Sequence, residues 1–397
     1  MEKLTKNTDC CQSKSEKKTE KLECECSQQN GTDVSPSNKC CGAALDNQLH
    51  SETALDVKKI LGKHHTAVGE VTKVDTVLSY QDVWGSILTR LGINRDCYAI
   101  DPGLYCVGSP DDKSPVLVTA NYKLSFDALR KELSDVDAWI LVLDTKGVNV
   151  WCAAGKGTFA TNELLHQIKA VELAKIVSHR KLILPQLSAT GVSGHLVKEE
   201  SGFKVCWGPI RASDIKPYLA SHGKTGPDMR RIRFTFIDRM VLIPVEIKNL
   251  LKPAGLLLVF LGLLSGIGPD LFSIDALFAR GTNVLMAGLI GILSGTVLTP
   301  LVLPWIPFRA FFLKGIGIGS ITGVLSVNTV FVHLSLYETV ALLLFSVMLS
   351  SFLAMNFTGS TPYTSPSGVE KEMRIGIPVQ VFGVLTALAL WMISPFL

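Results

Sequence analysis

The densest run of chemically useful residues in this chain is Asn149-Val150-Trp151-Cys152-Ala153-Ala154-Gly155-Lys156. It follows residues 138–144, a short apolar stretch ending in the turn residues Asp144, Thr145, Lys146 and Gly147, which reads as a buried strand. Asn149 is a good cap for a short helix after that turn. On such a helix Cys152 supplies a thiolate, the form of cysteine that binds metals, and a helix amino terminus favours it. Lys156 adds positive charge four residues on, or simply sits in solvent. Ala153, Ala154 and Gly155 carry little bulk, so a large flat ligand can approach the backbone while the sulfur points at it. A planar metallocofactor meets that description. A lone cysteine on a short helix is otherwise a small buried hydrophobe, and the residue alone does not choose between the two.

The elements that must position this run alternate. Strand signals at 115–119, 138–144, 182–184 and 203–207 are interleaved with helix signals at 125–133, 162–177, 192–199 and 213–221. Such alternation predicts an open, Rossmann-like α/β sheet, in which ligands bind at the carboxyl ends of the strands. Cys152 lies just past one such end. So do the Pro185-Gln186 loop and the Gly208-Pro209 loop, which places three segments around one crevice. A dinucleotide fingerprint is missing, because Gly155-x-Gly157 lacks the third glycine.

Of the 397 residues, 47% are hydrophobic and only 19% charged, which is apolar for a water-soluble protein. The excess is concentrated near the carboxyl terminus. Uncharged stretches at 253–269, 281–308, 315–337, 339–369 and 375–397 each hold an apolar segment near the roughly 17–25 residues that a membrane-crossing helix needs. Five spans are expected, or four with a re-entrant first segment. Basic residues cluster before the first span (Arg230, Arg231, Arg233, Arg239, Lys248, Lys252) and in alternate loops thereafter, which puts the amino-terminal part in the cytoplasm and Leu397 outside. The polar, charged amino terminus does not read as a secretory signal. Gly291-x-x-x-Gly295 and Gly319-x-x-x-Gly323 suit close helix packing, and Lys314 and Glu338 are expected to face headgroups. The formal charge of +4 leaves no block basic enough for nucleic acid.

Three domains result: a cysteine-rich extension at 1–60, an α/β domain at 61–249 and an all-α transmembrane domain of about five helices at 250–397. Six of the ten cysteines lie in the extension as Cys10-Cys11, Cys24-x-Cys26 and Cys40-Cys41. Its composition predicts disorder. Soft thiolate pairs suit Hg(II), Zn(II) or Cu(I), but adjacent cysteines do not match a folded zinc site.

The complete octamer at 149–156 resembles the cap-helix motif of the HgcA family, the corrinoid proteins of microbial mercury methylation. Leu182-Ile183-Leu184-Pro185-Gln186-Leu187, Gly191-Val192-Ser193-Gly194-His195 and Gly208-Pro209-Ile210-Arg211-Ala212 resemble the segments that follow in that family and in the corrinoid subunits of the acetyl-CoA pathway. The resemblance covers residues from about 75 to 397 and leaves the extension out. It implies a cobalamin-type corrinoid, bound with its own base displaced, and Cys152 as lower axial cobalt ligand. Asn149, Val150 and Trp151 would shape the cap, with Ala153, Ala154, Gly155 and Lys156 against the corrin, and Pro185, Gln186, Gly191, Val192, Gly208 and Pro209 completing the binding site. The histidine-ligated cobalamin type has Asp two residues before its His, and none of the eight histidines here does. The implied activity is a corrinoid-dependent methyltransferase of the cytoplasmic membrane that methylates Hg(II). It would be recharged by a methyltetrahydrofolate-linked donor and reduced by HgcB, a ferredoxin-like protein with 4Fe–4S clusters, since no cysteine spacing here matches such a cluster. The alternatives are a corrinoid methyl carrier of one-carbon metabolism and a membrane metal transporter; uncharged span interiors speak against transport. The hydroxyl-rich loop at 358–374 resembles the family loop that would contact the corrinoid domain or the ferredoxin.

Overall fold

The computed structural model describes residues 60–269, 271–361 and 366–397. The paired cysteines of the extension, and the middle of the 358–374 loop, lie outside these residues.

The α/β part is a seven-stranded mixed sheet. Its elements in chain order are β1 (Ile60–Thr66), β2 (Gly69–Val74), α1 (Tyr80–Arg90), β3 (Gly103–Val107), β4 (Val116–Ala120), α2 (Lys123–Arg130), β5 (Ala138–Leu143), α3 (Val150–Lys156), α4 (Thr161–Ala170), α5 (Leu173–Ile176), β6 (Lys181–Leu184), α6 (Gly194–Ser201), β7 (Lys204–Trp207) and α7 (Ile215–Ala220). Strand order is β1-β2-β3-β5-β4-β6-β7, with β5, β4, β6 and β7 mutually parallel and β3 antiparallel to β5. Every residue of β4 and β5 is buried, as expected of central strands covered on both faces. The four parallel strands fall where the alternating pattern puts them. The pattern does not reveal β1, β2 and β3, whose short segments carry Gly62, Gly69 and Gly103 at positive φ. The helical run at 162–177 is broken in two at Glu172, which adopts φ 48°.

The chain passes from β4 outward to β5, then returns to the other side of β4 for β6. This reversal opens a crevice at the carboxyl ends of the strands. α1 is fastened to α2 by a buried quartet of charges. Lys123 Nζ donates to Asp82 Oδ1 at 2.5 Å and to Asp127 Oδ2 at 2.6 Å, while Arg130 reaches Asp82 Oδ2 at 2.8 Å and Asp127 Oδ1 at 2.7 Å.

The carboxyl-terminal part contains α8 (Phe236–Leu264), α9 (Ile274–Leu301, with a π-helical segment at Leu293–Leu298), α10 (Phe311–Val327), α11 (Leu336–Phe357) and α12 (Pro366–Ile393). Four of these, α8, α9, α11 and α12, are long and apolar enough to cross a membrane. α10 is also apolar but has 17 residues, about 25 Å at 1.5 Å per residue. The helices start earlier than the uncharged stretches because charged residues occupy their first turns: Asp238 in α8, Asp275 in α9 and Glu338 in α11.

Both glycine pairs close onto α11. A Cβ on Gly291 would stand 2.8 Å from the Ser346 carbonyl oxygen, and one on Gly295 2.6 Å from that of Ser350. One on Gly319 would lie 2.9 Å from Ser350 Cβ, and one on Gly323 3.1 Å from Leu343 Cδ1. Lys314 and Glu338 correct the headgroup expectation. Lys314 is buried and donates to the carbonyls of Leu303 and Ile306 at 2.9 and 3.0 Å. Glu338 pairs with Arg280 at 3.2 Å, and Arg280 stacks 4.3 Å from the Trp391 ring centroid. Inside an apolar bundle a charge is costly unless its donors are satisfied, so both side chains turn inward to partners.

Candidate functional site

The turn after β5 is built around Asn121. Its Oδ1 accepts from the Thr145 amide at 3.1 Å, the Thr145 hydroxyl at 2.8 Å and the Gly147 amide at 3.0 Å, while its Nδ2 donates to Asp144 at 3.1 Å. Burial pushes the Asp144 carboxyl up, but bonds from Lys146 and Asn121 outweigh it and hold the group below its ordinary range. Lys146 and Gly147 take positive φ and reverse the chain. The result is a fixed entry into α3. Neither composition nor motif singled out Asn121; a polar residue directly after the buried, mostly apolar β4 was the signal available.

Asn149 caps α3 as expected, its Oδ1 accepting from the Cys152 amide at 2.9 Å. Cys152 stands in the first turn, half-buried, with a free thiol. Cys106 is different. It is fully enclosed in β3, and burial pushes its thiol up to about 11, so it stays protonated and inert at neutral pH.

A cavity of ≈700 Å³ lies at the carboxyl ends of the strands. It falls within the roughly 300–1,000 Å³ range of small-molecule and cofactor sites. Asn149, Val150 and Trp151 line it, as do Pro185 after β6 and Gly208 and Pro209 after β7. The three segments expected around one crevice are therefore brought together. The opposite wall was not anticipated from sequence: it comes from Phe234, just before α8, and from Ile237, Val241 and Leu242 in its first turns. Arg211, in the loop after β7, ties this wall in place, donating to Asp238 at 2.9 Å and to the Arg233 carbonyl at 2.9 Å.

The remaining expected residues stand around the cavity, outside its lining. Cys152 follows directly after Trp151. Ala153 and Ala154 are buried in the core cluster beneath α3. Their small size serves close packing, since a Cβ on Gly191 would lie 2.2 Å from the Phe159 carbonyl oxygen and 3.0 Å from Ala154 Cα. Val192 is likewise a core residue. Gly155 and Lys156 are exposed, and a Cβ on Gly155 would meet nothing within 4 Å. Gln186 is half-buried, and its Oε1 has no hydrogen-bond partner although that atom is buried. Such an orphaned acceptor is unusual in a folded interior.

These features fit a corrinoid. A half-buried free thiol suits cobalt, and an apolar cavity suits a macrocycle. Among the described residues no cluster of three or more His, Cys, Asp or Glu side chains could hold a bare metal ion.

Comparison with known proteins reaches the same region. Residues 90–219 match the family described as CO dehydrogenase/acetyl-CoA synthase delta subunit. The acetyl-CoA decarbonylase/synthase complex subunit gamma of Methanopyrus kandleri is 34% identical over 131 residues, 32% of this chain and 28% of that protein. The subunit of the same name from Methanocaldococcus jannaschii is 32% identical over 193 residues, 45% of this chain and 39% of that protein. That of Archaeoglobus fulgidus is 30% identical over 122 residues, 30% of this chain and 26% of that protein. The chain thus spans about a quarter to two-fifths of the length of these relatives. The family match runs from the end of α1 to α7 and stops before α8.

Proposed function

We propose that the α/β domain binds a corrinoid and acts in methyl transfer, with Cys152 as cobalt ligand. The observation that carries this reading is the free, half-buried thiol fixed by the Asn149 cap, next to three loop segments that converge on one cavity. The similarity to acetyl-CoA decarbonylase/synthase gamma subunits supports the same chemistry and favours a methyl carrier of one-carbon metabolism. When bound, the corrinoid supplies a methyl group held on cobalt. The chain's own groups hold and orient. Asn149 fixes the first turn of α3 and with it the direction of the sulfur. Trp151 and the α8 residues keep water from the cavity. Asn121 keeps the β5–α3 turn from drifting.

The more specific reading makes Hg(II) the methyl acceptor. It rests on the resemblance of the cap octamer and on the apolar helices; the octamer lies within residues 90–219, the block that matches the delta-subunit family, and the apolar helices lie outside it. A thiolate donates electron density strongly, which suits delivery of methyl to an electron-poor acceptor. A ferredoxin-type reductant with 4Fe–4S clusters and a folate-linked methyl donor are the partners this reading requires, and α8 to α12 would anchor the chain in the cytoplasmic membrane.

The test is cobalt content and the ultraviolet-visible spectrum of the full chain reconstituted with a corrinoid, wild type beside Cys152→Ala. Cobalt bound by both, with a spectrum changed by the substitution, is the expected result. No binding by wild type overturns the reading. Methyl transfer to Hg(II), assayed with a ferredoxin reductant, then separates the two acceptors.

A further inference from the structure

Helix α1 is inside out. Its buried side chains include Asp82 and Thr89, while Tyr80, Trp84, Ile87 and Leu91 are 40–80% exposed. Spacings of four, three and four residues put these on one stripe, about 16 Å long at 1.5 Å per residue. Val83 widens it. A helix that packs on a sheet ordinarily buries such a stripe and exposes its charges. Here the charge quartet with Lys123, Asp127 and Arg130 holds the polar face inward and leaves the apolar face outward.

The place of the stripe indicates what covers it. Its end is fastened to α8, where the Lys248 ammonium donates to the Gly92 carbonyl. A Cβ on Gly92 would stand 3.2 Å from Val245 Cγ2. The uncharged run of α8 begins at Pro253, five residues past Lys248 and about 7.5 Å along the axis. Lys248 and Lys252 therefore form a basic collar at the level of the headgroups, with Leu91 and Gly92 docked beside it. Beyond the collar Leu256, Val259, Phe260 and Leu263 are exposed, so both helices carry uncovered apolar surface and are joined at the collar. Trp and Tyr favour the membrane interface, and exposed Arg90 has the sign that anionic lipid attracts.

We propose that α1 is an interfacial helix lying in the headgroup region of an anionic leaflet, with Tyr80, Trp84, Ile87 and Leu91 turned into lipid. This rests on the membrane reading of α8. The α/β domain is then seated at two points, α1 and α8. Because Arg90 also lines the cavity, the seat brings the cavity rim to the membrane surface.

The test replaces single residues of the full chain with the photo-crosslinker benzoylphenylalanine, in vesicles of equal phosphatidylglycerol and phosphatidylethanolamine. Position 87 reports on the stripe, position 259 on the α8 span and position 199 on the exposed surface of α6. The expected result is a lipid adduct at 87 and 259 and none at 199. An adduct at 259 without one at 87 overturns the proposal and leaves the membrane reading standing. A chain-to-chain crosslink at 87 in place of lipid overturns it in favour of a second copy. No adduct at 259 overturns both.

Discussion

Two alanine substitutions on opposite sides of α3 have opposite effects on stability. At Gly191 the added Cβ would lie 2.2 Å from the Phe159 carbonyl oxygen, 3.0 Å from Ala154 Cα and 3.1 Å from the Ala154 oxygen. All three are backbone atoms, so no side chain can rotate away. Either α3 or the loop after β6 must move by about 1 Å to restore ordinary contact distances near 3.5 Å. Overpacking of this kind costs about 1–3 kcal/mol. For a domain of this size each kcal/mol lowers the melting temperature by about 2–4 °C, so Gly191→Ala should melt about 2–12 °C early. At Gly155 a Cβ meets nothing within 4 Å and the residue is helical. Gly155→Ala should therefore gain about 0.5–1 kcal/mol from the smaller backbone entropy loss. Corrinoid loading should fall in both under the proposed reading, because the first displaces Cys152 and the second puts a methyl where the family resemblance places the corrin. Scanning fluorimetry of the full chain in detergent, with cobalt counted per chain, measures both quantities. If Gly191→Ala melts and loads like wild type, the packing account of this glycine is wrong; if Gly155→Ala loads normally, that surface does not face the ligand.

Asn121→Ala leaves the Thr145 and Gly147 amides without their acceptor, at about 1–3 kcal/mol each if no water replaces it, and should lower both the melting temperature and corrinoid affinity. Arg130→Met strands Asp82 and Asp127 beside Lys123 alone, and a loss of about 3–5 kcal/mol is expected in denaturant unfolding; wild-type stability would show the quartet to be energetically idle. Burial raises Cys106 from 9.0 to about 11 and Tyr105 from 10.0 to about 12. Both groups are neutral in the folded chain where the unfolded chain has ionised. Their contribution is complete below pH 9 and is lost as pH rises through about 9–12, so melting temperature should fall over that window and not below it. The same protonation should leave Cys106 unalkylated by iodoacetamide at pH 8 in the native state, with mass spectrometry finding label on Cys152.

The parallel half of the sheet was legible because β4 to β7 are short apolar runs separated by turn residues, and period and punctuation suffice for such strands. The Asn149 cap was legible for a similar reason: capping is local and its residue types are few. Strands β1 to β3 were not: Lys63, Glu70 and Lys73 make β1 and β2 look like loop, and β3 is a five-residue segment that opens on Gly103. Positioning groups were invisible because their partners are distant in sequence. Asn121 meets Thr145 across 24 residues, and Asp82 meets Arg130 across 48. Lys314 and Glu338 were misjudged because charge near a span end ordinarily marks the interface; their partners, backbone carbonyls and Arg280, are visible only in three dimensions. The same holds for Gly191, which sequence assigns to the ligand and structure places behind the helix that carries the thiol.

The α8 wall alters where specificity resides. Three sides of the cavity come from the block at 90–219 that matches the delta-subunit family, and these sides can hold a ligand common to both. The fourth side is Phe234, just ahead of α8, with Ile237, Val241 and Leu242 on the helix itself, which continues into the apolar region. Four apolar side chains there favour a ligand face without charge and exclude water from it. Asp238 lies on the same helix and also lines the cavity, but its Oδ2 accepts from Arg211 and from the Thr235 cap, and the guanidinium offsets its charge. Any difference in ligand preference between this chain and a protein that shares only the 90–219 block should therefore act through α8 and through access past it. Breaking the Arg211–Asp238 pair by Arg211→Ala frees that wall while leaving α3 and Cys152 untouched. It should change the rate at which corrinoid enters and leaves more than the spectrum of the bound form.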